Sequence, residues 1–232
     1  MTAANITDRN TWLEARKLLL AKEKAFTQAR DALTAERQKM PWVRIDADYR
    51  FETPNGQQSL AGLFGGKSQL IIQHFMLGEG WKAGCPSCSF WADGYDGIDV
   101  HLAARDIAFV TVSNAPLAEI EAFRQRMGWN IVWVSAFGSS FNQDFHVSFS
   151  GNTDSGVEYN YQRQRFSMSE APGISVFAKA PDGQICHTYS CYARGLDMMN
   201  AAYHYMDLTP KGRDEADLPY TMAWLKRHDE YD

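Results

Sequence analysis

Long apolar runs are missing from this sequence. No uninterrupted stretch approaches the roughly 18 residues that a helical membrane span needs, so no membrane association of that kind is expected. Basic character is lacking too: 28 acidic residues against 23 Lys and Arg leave a formal charge of -5, which gives no electrostatic reason to approach nucleic acid or an anionic bilayer. Internal repeats and low-complexity segments are absent. Hydrophobic residues at 45% and charged residues at 22% are proportions at which a chain folds rather than stays disordered. The opening "MTAANITDRNTWLEARK" has no basic start followed by an apolar block, so no export signal is expected and a cytoplasmic location is the default. Cysteine is scarce, with four in 232 residues, and in a reducing compartment these are expected as thiols rather than structural bridges.

What is present begins with a long helix. From Thr7 to about Lys39 there is neither Gly nor Pro, Thr7 or Asp8 can cap the start, and Pro41 ends it. Trp12, Leu19, Phe26, Leu33 and Met40 recur every seven residues, with Ala15 and Ala29 beside that line, so one narrow apolar seam runs along a charged rod. At 1.5 Å per residue the rod is roughly 45–50 Å long. Residues 1–40 are therefore expected to form a helical arm that either completes its own domain or meets a second copy in a homodimer.

Residues 41–232 suffice for one α/β domain. A hairpin turning at Asn55-Gly56 is followed by "QLIIQHFML", a continuous apolar run of the kind found in mid-sheet strands. "SFWADGYDGIDVHLAAR" reads as a helix with an irregular middle, "DIAFVTVS" as a second buried strand, "LAEIEAFRQRMG" as an amphipathic helix and "NIVWVSA" as a third strand. Residues 138–170 show no clear period and read as an excursion from the sheet. "GISVFAKAPDGQICHTYS" reads as a hairpin turning at Asp182-Gly183, and helices near 196–206 and 219–228 close the chain. This order predicts a mixed sheet with helices on both faces.

Between the first buried strand and its helix lies "GWKAGCPSCSFWAD". If the helix starts there, Cys85 falls at the N-cap, Pro86 at the first helical position and Cys88 one turn in. Free N–H groups and the helix dipole lower the pKa of a thiol so placed. Cys85 is then the attacking sulfur, and Cys88 the one that resolves a mixed disulfide. A metal site needs four ligands, and the remaining thiols, Cys186 and Cys191, are spaced unlike the first pair; on a regular strand they point to opposite faces. No metal is expected. A peroxidase site would want a hydroxyl three residues before the attacking cysteine, where Lys82 stands, so that route is disfavoured. Groups placed to move protons are His74, if it faces the dithiol from the strand below, together with Glu79 and Lys82 in the loop. Pro172, just before a strand, would offer a bare backbone edge beside the sulfurs if its peptide bond were cis. Trp81 and Trp91 flank the motif, and His187, Tyr189 and Arg194 follow the last hairpin as surface or interface residues.

"WLEARKLLLAKEKAF", "MPWVRID", "SQLIIQHFMLGEGWKAGCPSCSFWAD", "RMGWNIVWVSAFGSSFNQDF", "PGISVFAKAPDGQICHTYSCYARGLD" and "YMDLTPKGRDE" together resemble the bacterial DUF899 family, grouped with thioredoxin-like proteins. The resemblance spans nearly the whole chain. It implies an α/β, thioredoxin-like mixed sheet flanked by helices with a long N-terminal helical extension, and it implies no established reaction. Thioredoxin roles carry over to Cys85 and Cys88, and to Pro172. They stop there, because Gly84 stands where thioredoxin has a Trp, and Gln73 or His74 where it has a buried Asp. In the family pattern the position of Cys191 is not a cysteine, which argues against an essential role for it. The expected activity is thiol–disulfide exchange at Cys85 and Cys88 without a cofactor, on a protein or small-molecule disulfide, with an electron donor that no motif names. The alternative is a non-catalytic thioredoxin-like binding or scaffold protein that self-associates through its N-terminal helix.

Overall fold

A computed structural model describes residues 5–150 and 155–231; the first four residues of the expected arm and residues 151–154 of the expected excursion lie outside the described residues. The chain separates into two compact units, residues 1–41 and 42–232. In the first, the Asp8 side chain accepts from the Asn10 and Thr11 N–H groups and starts α1 (Arg9–Arg37). No residue of α1 is buried, and Trp12, Leu19, Phe26 and Leu33 on its seam are 46–70% exposed.

The second unit runs through β1 (Val43–Arg44), the β2 (Arg50–Thr53) and β3 (Gly56–Ser59) hairpin, α2 (Leu60–Leu63) and β4 (Gln69–Gly78). Gly56 takes a φ of +97° in the hairpin turn, which a side chain would disfavour. Then come α3 (Pro86–Tyr95), α4 (Asp99–Ala103), β5 (Ile107–Asn114), α5 (Leu117–Arg126) and β6 (Trp133–Ser135). The break between α3 and α4 falls at Gly97, as the composition predicts. The excursion is built rather than structureless, with α6 (Phe141–Asp144) and a separate hairpin of β7 (Val157–Tyr159) and β8 (Gln162–Gln164). β9 (Gly173–Lys179) and β10 (Ile185–Tyr192) form the last hairpin, followed by a 3-10 helix at Ala193–Met199 and α7 (Ala201–Met206).

Eight strands make one sheet in the order β1-β10-β9-β4-β5-β6-β2-β3. β5 lies parallel to β4 and to β6, while β9 runs antiparallel to both β4 and β10. The thiols sit at the β4–α3–β5 crossover, and the antiparallel β9–β10 pair completes the sheet beside it; this is the expected thioredoxin-like arrangement. Along β4, Leu70 and Ile72 enter a core with Phe51, Val112, Phe141, Phe145 and Phe177, while Phe75 and Leu77 enter one with Trp91, Ile120, Phe123 and Trp133. Up to His74 alternation therefore sends even-numbered β4 residues to one face and odd-numbered ones to the other; beyond it the register shifts, and Met76 joins Phe75 and Leu77 in the second core.

Two expectations fail, each for a local reason. No helix forms over 219–228. Met222 has a φ of +69°, and its N–H donates to the Glu215 carboxylate instead of a helical carbonyl; only a 3-10 turn at His228–Glu230 follows. Nor do Cys186 and Cys191 point to opposite faces. β10 carries a bulge between His187 and Tyr189, so Cys186 pairs with Ala178 and Cys191 with Ile174, positions of like parity on β9. The extra residue flips the phase and puts both cysteines on one face.

Candidate active site

β4 leads into a loop whose backbone folds back on it, the Cys85 N–H donating to the Met76 carbonyl at 3.0 Å. Cys85 then caps α3 with Pro86 as its first residue. Gly84 is required by space: a Cβ there would lie 2.5 Å from the Phe75 ring and 2.7 Å from Phe123. The aromatic core therefore reaches the backbone just before the first sulfur, where no Trp fits.

Cys85 is half-buried and Cys88 buried, and both are thiols. The Cys85 side chain makes no close hydrogen bond of the ordinary capping kind. Its sulfur, a large and diffuse acceptor, is stabilised chiefly by the Cys88 thiol, then by the N–H groups of Cys88 and Ser87 and by the Ser87 hydroxyl. Against the cost of burial, these pull its pKa down to about 6. Cys88 moves the opposite way, well above the usual thiol range. Giving up its proton would leave its sulfur facing that of Cys85 in a buried setting, and the Met76 N–H, 3.4 Å from the Cys88 sulfur, offsets this only in part. The two thiols are thus pushed in opposite directions, Cys85 toward the thiolate and Cys88 toward the protonated form.

Cys85 and Cys88 both line a cavity of about 400 Å³. Gln73, Met76, Trp91 and Pro172 line it from the sheet and α3, and Leu196, Tyr203, Thr221 and Met222 line it from the C-terminal segment. A larger hollow, about 500 Å³, lies between Thr53, Lys67, Arg124 and Trp133 and is lined by no cysteine, so size alone does not single out the cavity at the thiols. The C-terminal wall is fastened at both ends. Glu215 accepts from the Tyr203 hydroxyl at 2.9 Å, the Trp224 indole at 2.7 Å and the Met222 N–H at 3.1 Å. Arg227 donates twice to the Gly84 carbonyl, at 2.9 and 2.8 Å, one residue before Cys85.

Of the supporting residues named from sequence, only Pro172 reaches the cavity, and its peptide bond is trans. His74 is an even-numbered β4 residue and so faces away. Its ring stacks near Phe141 and Phe145, and its Nε2 pairs with the Ser175 hydroxyl at 2.9 Å in a buried chain that continues through Ser190 to His187. Burial lowers its pKa to about 3, so it stays a neutral core residue. Glu79 and Lys82 are exposed and do not line the cavity. Trp91 does line it, its indole donating to the Leu196 carbonyl at 2.9 Å, whereas Trp81 borders a separate cleft with Glu170. Sequence reasoning missed the C-terminal wall. Its one signal is the density of aromatic and apolar residues in a tail that the sequence reads as helical. Among the described residues no group of His, Cys, Asp or Glu is arranged to hold a metal ion, and no helix is long and apolar enough to cross a membrane.

Comparison with known proteins finds no match among curated sequences. Among solved structures the chain is similar to a variant of Xanthomonas campestris peroxiredoxin Q, at 13% identity and a TM-score of 0.48, covering 72% of this chain and 98% of that one. It is similar to peroxidoxin BcpB from Mycobacterium tuberculosis at 15% identity and a TM-score of 0.47, covering 70% and 93%. A hypothetical protein from Sinorhizobium meliloti matches at 12% identity and a TM-score of 0.40, covering 62% and 67%. The DUF899 family, described as a bacterial protein of unknown function, matches residues 1–231, and the chain belongs to that family.

Proposed function

We propose that the protein is a thiol–disulfide oxidoreductase working in a reducing cytoplasm through Cys85 and Cys88. The observation that carries the reading is the Cys85 sulfur, stabilised as a thiolate by its neighbour's thiol and the first turn of α3, and open to a cavity. The Cys85 thiolate attacks one sulfur of a disulfide, forms a mixed disulfide and expels the other sulfur as a thiolate, which takes up a proton. Cys88 then loses its proton and attacks the Cys85 sulfur. The second thiol leaves, and a Cys85–Cys88 disulfide remains that carries the two electrons' worth of oxidation. A dithiol donor restores the starting state.

Trapping tests this. With oxidised glutathione, the reduced wild type should end with an intramolecular disulfide, Cys88→Ser should accumulate a glutathione adduct at Cys85, and Cys85→Ser should form neither; mass spectrometry of digests reads all three. Equal adduct formation at all four cysteines would contradict the assignment.

The seam on α1 supports a second reading, compatible with the first: self-association of two copies. A strict seven-residue repeat drifts around a straight helix and is followed only by a supercoiling partner helix. If two α1 helices run antiparallel with position 24 opposite itself, Leu33 meets Ala15, Leu19 meets Ala29 and Phe26 meets Lys22 of the other copy. Leu19, Phe26 and Leu33 in the middle of the seam then each face a small residue or a cation, while at its ends Trp12 meets Glu36 and Met40 meets Asp8. Light scattering on the wild type and on Leu19→Glu/Phe26→Glu checks it: a dimer that the double substitution converts to a monomer is expected, and a monomeric wild type rules it out.

A further inference from the structure

We infer that the cavity beside the thiols admits disulfides of small thiols with uncharged, largely apolar bodies and shuts out protein disulfides. This rests on the dithiol reading above and names its substrate class.

An extended polypeptide substrate docks by pairing its backbone with a free strand edge beside the sulfurs. Here that edge is occupied. The Ala171 N–H donates to the Val147 carbonyl at 2.8 Å. The Pro172 carbonyl accepts from the Tyr159 hydroxyl at 2.8 Å, and the same oxygen of Tyr159 accepts from the Ala193 N–H at 3.0 Å. The two backbone groups that flank the Ala171–Pro172 peptide, the Ala171 N–H and the Pro172 carbonyl, are therefore already engaged and closed to an incoming chain. The excursion supplies Val147 and Tyr159, which gives that insertion a role.

Opposite this edge stands the C-terminal wall, and between them Met76, Trp91, Pro172, Leu196, Tyr203 and Met222 make a mostly apolar lining. At about 400 Å³ the space lies near the lower end of the roughly 300–1,000 Å³ typical of small-molecule sites. The charges at its border are already satisfied. Asp197 pairs with Arg194 at 2.9 Å and Arg213 at 3.2 Å, and Arg213 also pairs with Asp207 at 2.9 Å while lying 3.8 Å from the Tyr203 ring centroid. A ligand bearing several carboxylates would have to compete with Asp197 and Asp207 for Arg213 and would lose its hydration on entering the apolar interior; Arg194, 80% exposed, stays in water.

The test uses full-length reduced protein and three disulfides: 2,2′-dithiodipyridine, which is neutral and aromatic; oxidised glutathione, which is charged; and insulin. Each rate is divided by that of dithiothreitol with the same disulfide, which removes intrinsic electrophilicity. The ratio should be at least ten-fold higher for 2,2′-dithiodipyridine than for oxidised glutathione, and the insulin chains should stay joined. Met222→Trp, which fills the cavity, should cut the selectivity at least ten-fold, and Thr221→Phe serves if that variant does not fold. Efficient insulin reduction, or unchanged selectivity in the folded variants, overturns the substrate class and leaves the dithiol cycle standing. Failure to react with all three, with Cys85 and Cys88 remaining thiols, overturns the dithiol reading itself.

Discussion

Cys85 differs from an ordinary cysteine by what surrounds its sulfur, and its reactivity should report this directly. Only the thiolate is nucleophilic. Alkylation of Cys85 by iodoacetamide should therefore rise with pH to a plateau with a midpoint near 6, and Cys88→Ser should move that midpoint up because the Cys88 thiol is the largest stabilising contact. A midpoint near the usual value of roughly 8.5 would contradict the geometry. Glu170 is the second displaced group. Burial raises its carboxyl to about 7, and the Ser148 hydroxyl and Asn114 amide, which both donate to it, recover only part of that cost. The folded chain thus binds this proton more tightly than the unfolded chain does. The resulting stability is complete below the unfolded value and is lost as pH rises through about 7. In denaturant titrations Glu170→Gln should match the wild type's unfolding free energy near pH 4.5 and exceed it by about 2–3 kcal/mol at pH 8. The dithiol was legible in the sequence because its two residues are three apart on one helix turn. Glu170 was not, since Ser148 and Asn114 lie 22 and 56 residues away and form no motif.

At the scale of the element, the strands and helices that carry a strong apolar period, β4, β5 and α5, appear where their sequences put them. What the pattern leaves out are single-residue irregularities. The bulge in β10 adds one residue to the strand without changing its composition, yet it decides which face Cys191 shares with Cys186. Likewise His74 and Gln73 are equally polar neighbours in an apolar run, and only the phase of β4 against α3 shows that Gln73 and not His74 faces the cavity. Gly84 can be tested at this scale. Gly84→Ala places a Cβ against Phe75 and Phe123 and should cost about 1–3 kcal/mol in a denaturant titration, the usual penalty of overpacking. Arg227→Met should release the cysteine loop from the C-terminal segment and speed alkylation of the buried Cys88 several-fold, as read by mass spectrometry. No change in that rate would mean that the wall is held by Glu215 alone.

At the scale of the second unit, the Cys85 sulfur sits on the β4–α3–β5 crossover against a wall built from the chain's last forty residues, and an excursion covers the segment before β9. The crossover was readable from the order of strands, thiols and helix. The wall was not, because turns pinned by Glu215 and Arg227 have no periodicity to read. The contacts that hold the Cys85 thiolate exist only in the dithiol form, so they favour reduction and make the potential less negative. The most direct measurement is a redox equilibrium titration of the full-length protein in dithiothreitol and glutathione buffers, with thiols at each cysteine counted by alkylation and mass spectrometry. A reversible two-electron transition confined to Cys85 and Cys88, at a potential less negative than the roughly −270 mV of thioredoxin, whose attacking cysteine has a pKa near 7, is the predicted result. Cys85 and Cys88 remaining thiols in every buffer, or a transition that pairs either of them with Cys186 or Cys191, would contradict it.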